Sequence, residues 1–200
     1  MLIGLTGNIA SGKSTVSAML EQLGAKVIDA DRVVHELYAK NIILKLKLLL
    51  AFGLKAIGFR HLAVNRHGLA GIVFNDKKQM EKLESIVWPY VRNRIAGLEK
   101  TNELLVVEAA LLFESGMDQK MDKTIIVCAG RDAQLKRLLK RGLCRPDALR
   151  RIESQLSQKK KAGKADYVIS NNSSFKSLEK QVNRLWIRIK PSGKPHSFYR

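Results

Sequence analysis

The chain has 200 residues, 46% of them hydrophobic, which is enough to bury one sizeable core. Its formal charge of +18 fits a nucleic-acid partner, a polyanionic small ligand or merely a lysine-rich surface. Aromatic residues make up only 6% of the chain and no nucleic-acid-binding motif accompanies the charge, so we expect no dedicated nucleic-acid partner. Lys45 and Lys47 interrupt the longest apolar run, which argues against a membrane-spanning segment.

Two further features predict a cytoplasmic location. The N-terminus carries no basic stretch ahead of an apolar one, which argues against a secretory signal peptide. The two cysteines, Cys128 and Cys144, are too few for a disulfide framework and indicate free thiols in a reducing compartment.

The first predicted elements are a strand and a helix joined by the glycine-rich stretch GNIASGKS. The segment Leu2–Thr6 is largely apolar and contains the β-branched Ile3, which predicts a short buried strand. From residue 14 to residue 23, apolar side chains recur at helical spacing and predict a helix with one apolar face. Gly7 and Gly12 lie five apart between these elements, and the lysine and serine that follow complete the pattern of a P-loop.

This loop predicts the binding of a nucleoside triphosphate. Glycines let successive backbone N–H groups turn inward around an anion, and the helix N-terminus points its positive dipole end at the same place. Lys13 is expected to reach the β- and γ-phosphates, and the Ser14 hydroxyl to coordinate Mg²⁺. The other interpretation is an ordinary glycine-rich turn with a surface lysine, which the complete pattern in its strand-to-helix context disfavours.

Two aspartates follow the second predicted strand, Ala25–Ile28. A carboxylate there can take the proton of an attacking hydroxyl or hold Mg²⁺ through water, and it can equally cap a helix that begins near Arg32. For Asp29 we leave these interpretations open. We favour Asp31 as the catalytic base because it lies further out, towards the cleft. If the strand continued, its alternation would turn both side chains to similar sides.

The stretch from about residue 35 to residue 103 is predicted to be an inserted, largely helical substrate-binding region. Its longest predicted helix is Asp76–Leu98, which has one apolar side. Pro89 lies within this helix, and we expect it to bend or divide the helix because proline removes a backbone donor and clashes with the preceding turn.

The remaining predicted strands are Leu104–Val107, Thr124–Cys128 and Tyr167–Ile169. Glu108 follows the first of them at a Walker-B-like position, where a carboxylate can meet the substrate or hold Mg²⁺ through water. Five strands that alternate with helical patterns predict an α/β fold of the P-loop NTPase type, layered around a central parallel sheet. In such a sheet, ligands bind beyond the carboxyl ends of the strands.

Residues from about 131 to 164 are predicted to form a helical hairpin that is broken at Gly142–Pro146. Basic residues greatly outnumber acidic ones here, which indicates either a solvated basic face or a mobile lid that closes positive charge over phosphates. The rest of this single domain is expected to comprise a core at residues 1–34, 104–130 and 165–190 and a loose tail at 191–200.

Eight segments follow one another along the chain to about Leu185: IGLTGNIASGKST, VIDADRVVHEL, NRHGLAGIVFND, LESIVWPYVRNRI, VVEAALLFESGM, QLKRLLKRGL, RRIESQ and ADYVISNN. In this order they resemble the dephospho-coenzyme A kinase family. The P-loop is generic, whereas the DAD segment, the segment around Arg66, LLFE and ADYVISN are specific to that family.

The resemblance implies that ATP, with Mg²⁺, donates its γ-phosphoryl group to the ribose 3′-hydroxyl of dephospho-coenzyme A. It implies that Asp31 is the base for that hydroxyl, with Asp29 close by. It also implies that Arg66 contacts the acceptor, that Arg141 in the lid stabilises charge on the transferring group, and that Asn171 touches the adenine. The implied ATP cradle comprises Thr6, Gly7, Asn8, Ile9, Ala10, Ser11, Gly12, Lys13, Ser14 and Thr15.

Four positions depart from the family's usual residues. Ala10 stands where a P-loop glycine is usual, Asn65 where aspartate is usual, and Ala110 where proline is usual. Trp88 replaces the usual histidine before proline and changes the polarity of a wall that is expected to face the substrate.

Two other functions fit the same motifs. Another P-loop kinase, acting on a nucleoside, a nucleotide or shikimate, would share the fold and the lid. A nucleotide switch or a nucleic-acid-binding protein would use the loop and the positive charge without transferring a phosphoryl group.

Overall fold

Strands and helices alternate along the computed structural model, which describes residues 1–58, 63–73, 76–99 and 104–190. The strands are β1 (Leu2–Gly7), β2 (Lys26–Asp29), β3 (Ile57–Gly58), β4 (Ala63–Val64), β5 (Leu105–Glu108), β6 (Lys123–Cys128) and β7 (Tyr167–Ser170). The helices are α1 (Lys13–Gln22), α2 (Ala30–Lys40), α3 (Ile42–Phe52), α4 (Arg66–Val73), α5 (Lys77–Glu99), α6 (Arg131–Lys140), α7 (Arg145–Glu153), α8 (Gln158–Ala162) and α9 (Phe175–Ile189).

A five-stranded parallel sheet in the order β2-β5-β1-β6-β7 forms the centre of the molecule. The five predicted strands are confirmed, each within one residue at either end. The predicted α/β layered fold is confirmed as well. Because the strands run parallel, Gly7, Asp29 and Glu108 all leave the sheet at the same edge, and Asp29 and Glu108 lie opposite each other in the ladder.

Both faces of the sheet are covered by helices, and this explains why its strands read as continuous apolar runs. Val106 packs in a core cluster with side chains of α1 and α9. Its neighbours Leu105 and Val107 point to the other face and pack with α3 and α5. The C-terminal helix α9 therefore belongs to the core, as its apolar spacing predicts.

The long helix α5 runs past Pro89 without being divided, so the prediction of a division at this residue was wrong. Val87, Val91 and Ile95 lie on both sides of the proline, and at most 7% of their surface is exposed. Packing of this face against the core stabilises the helix across the missing backbone hydrogen bond.

The inserted stretch contains one feature that the sequence did not predict, an antiparallel pair formed by β3 and β4. Tyr38 and Phe52 pack beside Val64 in a small cluster with Leu69 and Val73 of α4. This cluster joins the short pair to the helices around it.

The basic stretch, residues 131–164, begins with α6 and α7. The break between these helices, at residues 141–144, overlaps the break predicted at Gly142–Pro146. Gly142 lies there with a φ of 87°. A third helix, α8, follows, so the predicted two-helix hairpin was incomplete. The predicted tail at 191–200 lies outside the described residues. Within the described parts of the chain, no helix is long and apolar enough to cross a membrane.

One carboxylate clamps the start of β6 to the residue before β7. Asp166 accepts hydrogen bonds from the Thr124 backbone N–H at 2.8 Å, the Thr124 hydroxyl at 2.9 Å and the Lys123 ammonium at 3.0 Å. Burial alone would raise the pKa of Asp166, but these donors together hold it below its usual value.

Asp166→Asn should therefore destabilise the protein in a pH-dependent manner. Because the pKa is lower in the folded state, the stabilisation is complete above the unfolded pKa of about 3.9 and is lost as the pH falls through the folded pKa. Urea unfolding measures the free energy of unfolding of the unchanged protein and of Asp166→Asn. The difference between the two should be larger at about pH 7 than at about pH 3. Asp132→Asn, at an exposed carboxylate of α6, is the control, and an equal Asp166 effect at both pH values would contradict the assignment.

Candidate active site

The loop between β1 and α1 curls so tightly that two of its residues adopt left-handed backbone angles, Gly12 with φ 98° and Ala10 with φ 58°. A Cβ atom on Gly12 would lie 2.1 Å from the Asn171 side-chain nitrogen, so only glycine fits there. Ala10 accepts the conformation at a cost of about 1 kcal/mol. Its methyl group packs with Leu135 and Leu138 of α6, which offsets part of that cost.

A cavity of about 540 Å³ opens over this loop. Most of the predicted ATP cradle lines it, namely Gly7, Asn8, Ile9, Ala10, Ser11, Gly12, Lys13, Ser14 and Thr15. The predicted lid residue Arg141 lines the same cavity, together with Arg151, which the sequence analysis did not single out. Backbone N–H groups, the N-terminus of α1 and these cations suit a polyanionic ligand such as a nucleoside triphosphate.

Thr6 and Asn171 take supporting positions beside the cavity. The Thr6 hydroxyl donates to the Ala110 carbonyl at 3.3 Å. The Asn171 side-chain amide donates to the Ser11 carbonyl at 2.8 Å, and only 9% of this residue is exposed. Thr6 therefore joins β1 to the segment after β5, and Asn171 braces the loop. The adenine contact of Asn171 stays a prediction.

Glu108, at the end of β5, holds the functional side chains of the loop in place. Its Oε1 atom lies 3.3 Å from the Lys13 ammonium and accepts a hydrogen bond from the Ser14 hydroxyl, also at 3.3 Å. Its Oε2 atom accepts from the Ser17 hydroxyl. Only 8% of Glu108 is exposed, and burying its carboxylate would be costly without these partners.

These oxygen atoms also decide how Mg²⁺ would fit the site. Among the described residues there is no group of three or more histidine, cysteine, aspartate or glutamate side chains that could hold a metal ion by itself. The Ser14 hydroxyl and Glu108 carboxylate are hard oxygen ligands beside the phosphate cavity. Mg²⁺ is commonly held in this way, by one or two protein oxygens together with substrate phosphates and water.

The two aspartates have different surroundings. Asp29 ends β2 and caps α2, because its Oδ1 atom accepts the Arg32 backbone N–H at 3.0 Å. This confirms the capping interpretation of Asp29, although the helix begins at Ala30. Asp31 lies in the first turn of α2, so the strand does not continue to this residue and the alternation considered for that case does not apply. Its Oδ2 atom accepts the Ala110 backbone N–H at 3.3 Å.

Asp31 borders a second cavity of about 200 Å³ between α2, α5 and the segment after β5. The walls of this cavity are mainly apolar and include Trp88. That Trp88 faces the substrate stays a prediction. The Lys120 ammonium lies 4.4 Å from the centre of the Trp88 ring. Burial raises the pKa of the Glu84 carboxyl, and burial also raises the pKa of Tyr38 to about 12, against the opposing charge of Arg66.

Arg66 itself lies outside the lining of these two cavities. It begins α4, and its guanidinium lies 3.2 Å from the His35 ring nitrogen Nδ1. Its charge acts on Tyr38, whose side chain does line the smaller cavity. The structure therefore brings Arg66 near the smaller cavity, in an exposed position, and its contact with an acceptor stays a prediction.

The sequence analysis missed Arg137, whose guanidinium ties three carbonyl groups together. It donates to Ala10 at 2.9 Å, to Ser11 at 3.2 Å and to Asn171 at 3.0 Å. In this way α6 holds the phosphate-binding loop to the loop after β7. Arg137 lies in the family segment QLKRLLKRGL, but its basic neighbours there look the same in the sequence, and the resemblance implied no role for it.

Two uncharged side chains of the basic stretch also hold the phosphate-binding loop, at Ile9. The Gln155 side-chain oxygen accepts the Ile9 N–H at 2.7 Å, and the Gln134 amide donates to the Ile9 carbonyl at 2.6 Å. The Asn8 amide donates to the Leu156 carbonyl at 3.1 Å. Gln134 begins the family segment QLKRLLKRGL and Gln155 ends RRIESQ, but the resemblance implied no role for either glutamine.

The sheet order and its phosphate-binding loop place this protein among the P-loop kinases. Within the P-loop kinases, the sequence identifies one family. The family described as dephospho-CoA kinase matches residues 1–177, and the chain belongs to that family.

Individual relatives agree with this assignment. The dephospho-CoA kinase of Fusobacterium nucleatum is 40% identical over 187 residues, which cover 92% of this chain and 96% of the relative. The crystal structure of TT1252 from Thermus thermophilus is similar with a TM-score of 0.76 and 30% identity, covering 96% of this chain and 98% of that one. Dephospho-CoA kinase from Campylobacter jejuni is similar with a TM-score of 0.60 and 31% identity, covering 94% and 96%.

Arg137→Ala should weaken ATP binding by about 10- to 100-fold, because it removes charge-assisted hydrogen bonds from the loop that carries the phosphates. Lys136→Ala removes an exposed cation from the same helix and is the matched control. Titration with a fluorescent ATP analogue measures the affinity, and circular dichroism verifies the fold. A folded Arg137→Ala protein that binds ATP as tightly as the control would contradict a bracing role.

Proposed function

We propose that this protein transfers the γ-phosphoryl group of ATP to the ribose 3′-hydroxyl of dephospho-coenzyme A. The products are coenzyme A and ADP, and the reaction is the last step of coenzyme A biosynthesis. Membership of the dephospho-CoA kinase family supports this function. The resemblance of the segments quoted above supports the choice of the 3′-hydroxyl.

One observation of the structure carries the proposal: the two cavities share a wall. Glu108 and Ala110 line the larger cavity, and Ala109 and Leu111 line the smaller one. A donor phosphate over the P-loop and an acceptor beside Asp31 therefore meet across the first residues after β5. Such an arrangement suits phosphoryl transfer, which depends mainly on positioning and on stabilisation of charge.

On the donor side, Lys13 contacts the β- and γ-phosphates, and the N-terminus of α1 favours their negative charge. Arg141, supported by Arg151 in the same cavity, stabilises the charge on the transferring group. Ser14, with Glu108 as the nearby carboxylate, would hold Mg²⁺, which would supply further positive charge at the phosphates. Asp29 is the weaker candidate for this ion because one of its oxygens already caps α2.

On the acceptor side, Asp31 accepts the proton of the 3′-hydroxyl. Its Oδ2 atom is engaged by the Ala110 N–H, which leaves Oδ1 to face the hydroxyl. The apolar walls of the smaller cavity, including Trp88, receive the less polar arm of the acceptor. Arg66, at the start of α4, contacts the acceptor from its exposed position.

We extend the proposal to the organisation and the location of the protein. Residues of about 35–103 act as the substrate-binding insertion, and residues of about 131–164 act as the lid. A cytoplasmic location fits the cysteines, because both Cys128 and Cys144 are free thiols.

The acceptor specificity is tested by ADP release with dephospho-coenzyme A against adenosine, AMP, CMP and shikimate. Dephospho-coenzyme A should exceed every other acceptor in kcat/KM by about 100-fold or more, because only it engages both the apolar cavity and Asp31. Mass spectrometry with 3′-nucleotidase treatment of the product checks the position of the new phosphate. Lys13→Ala should be inactive in the same assay.

Preference for shikimate or for a nucleotide would overturn the proposed acceptor. Salt-dependent retention on DNA without ADP release would replace the kinase by a nucleic-acid-binding function.

The role of the two aspartates is tested by a matched pair of substitutions. Asp31→Asn keeps the shape of the side chain and removes its basic carboxylate, so kcat should fall by about 10²- to 10⁴-fold while ATP binding is retained. Asp29→Asn should stay active, because asparagine caps a helix about as well as aspartate does. Steady-state kinetics with dephospho-coenzyme A measures both. An active Asp31→Asn beside an inactive Asp29→Asn would reverse the assignment.

A further inference from the structure

Lys161 is an unusual residue for a basic surface stretch, because its side chain is completely buried. Its neighbours Lys159 and Lys160 on α8 are exposed, whereas the exposure of Lys161 is 0%. Burying an ammonium group is costly unless it is paired, and lysine rarely occupies such a place. The pairing partner is Glu114, whose Oε1 atom lies 2.7 Å from the Lys161 Nζ atom.

The same ammonium group also reaches the wall shared by the two cavities. Lys161 donates a hydrogen bond to the Ala110 carbonyl at 3.3 Å, and the Thr6 hydroxyl donates to this carbonyl as well. On its other side, the Ala110 N–H donates to Asp31 Oδ2 at 3.3 Å. Ala110 lies just beyond β5, where the ladder has ended, so side chains of three separate elements satisfy its backbone groups.

This connection links the lid to the proposed base. Lys161 belongs to α8, Ala110 to the shared wall, and Asp31 to the border of the acceptor cavity. A shift of the Ala110 backbone would change the direction of its N–H and so release one oxygen of Asp31. A displacement of about 1 Å at such a place is enough to cost a large part of the rate.

We propose that Lys161 is a positioning residue for phosphoryl transfer, which sets the Ala110 backbone and through it the carboxylate of Asp31. The inference rests on the proposed function. Glu114 has the complementary task of balancing the buried charge of Lys161. The pair also anchors α8 to the wall, so that part of the lid stays in place while the rest carries Arg141 over the phosphates.

The first experiment separates positioning from stability. Lys161→Met should lower the melting temperature, because it leaves Glu114 buried without its partner, and should lower kcat by about 10- to 100-fold. The double variant Lys161→Met/Glu114→Gln removes both charges and should regain stability, but not kcat, because the Ala110 carbonyl still lacks its cation. Lys161→Arg should retain more activity than Lys161→Met, and Lys160→Met is the exposed control. A double variant that regains stability and kcat together would overturn the proposal.

The second experiment tests the route through Asp31 by a double-mutant cycle of kcat with dephospho-coenzyme A. If Lys161 acts through Asp31, Lys161→Met should cost little further rate in the Asp31→Asn background. Full, independent losses from both substitutions would overturn the inference and leave the proposed function intact. Wild-type protein without activity towards dephospho-coenzyme A would refute the proposed function itself, so the two failures are distinguishable.

Discussion

The contact between Glu108 and Lys13 is the interaction on which the nucleotide site depends. Glu108 closes β5, which lies between β2 and β1, and Lys13 begins the helix that follows β1. The Glu108 carboxylate is buried and has lost hydration. The ammonium group of Lys13, 3.3 Å away, and the hydrogen bonds from the serine hydroxyls compensate for this loss. The order of the strands thereby helps to set the position of Lys13, because it brings the end of β5 beside the start of α1.

The residues directly after β5 form the wall between the two cavities. Their backbone faces the nucleotide cavity on one side and the apolar cavity on the other. The rigid sheet holds this wall from one end, through the Ala109 N–H that donates to the Leu5 carbonyl at 3.0 Å. The basic stretch holds it from the other end, through Lys161. Charged groups of distant segments therefore converge on a few backbone atoms, and the basic surface conceals a set of structural contacts.

The parts of this protein that could be predicted from its sequence are those with a local signal. Apolar runs located the five strands, and the spacing of glycines located the loop of the nucleotide site. The sequence left open whether Asp31 follows a strand or opens a helix, because these two states differ by hydrogen bonds that no short pattern records. Arg137 and Lys161 could not be found, because lysines and arginines that contact distant carbonyl groups look the same in a sequence as solvated ones.

The central place of β1 has a consequence for the synthesis of the chain. This strand is made before the other strands of the sheet, and its ladder partners begin with Leu105 on one side and Lys123 on the other. A parallel pairing over such a separation closes a long loop before it gains any contact, which makes it slow. On the ribosome, β1 and the glycine-rich loop therefore emerge long before β5 and β6. β1 cannot pair until these two strands have been made. Exposure of an apolar strand before its partners exist favours non-native contacts in the incomplete chain.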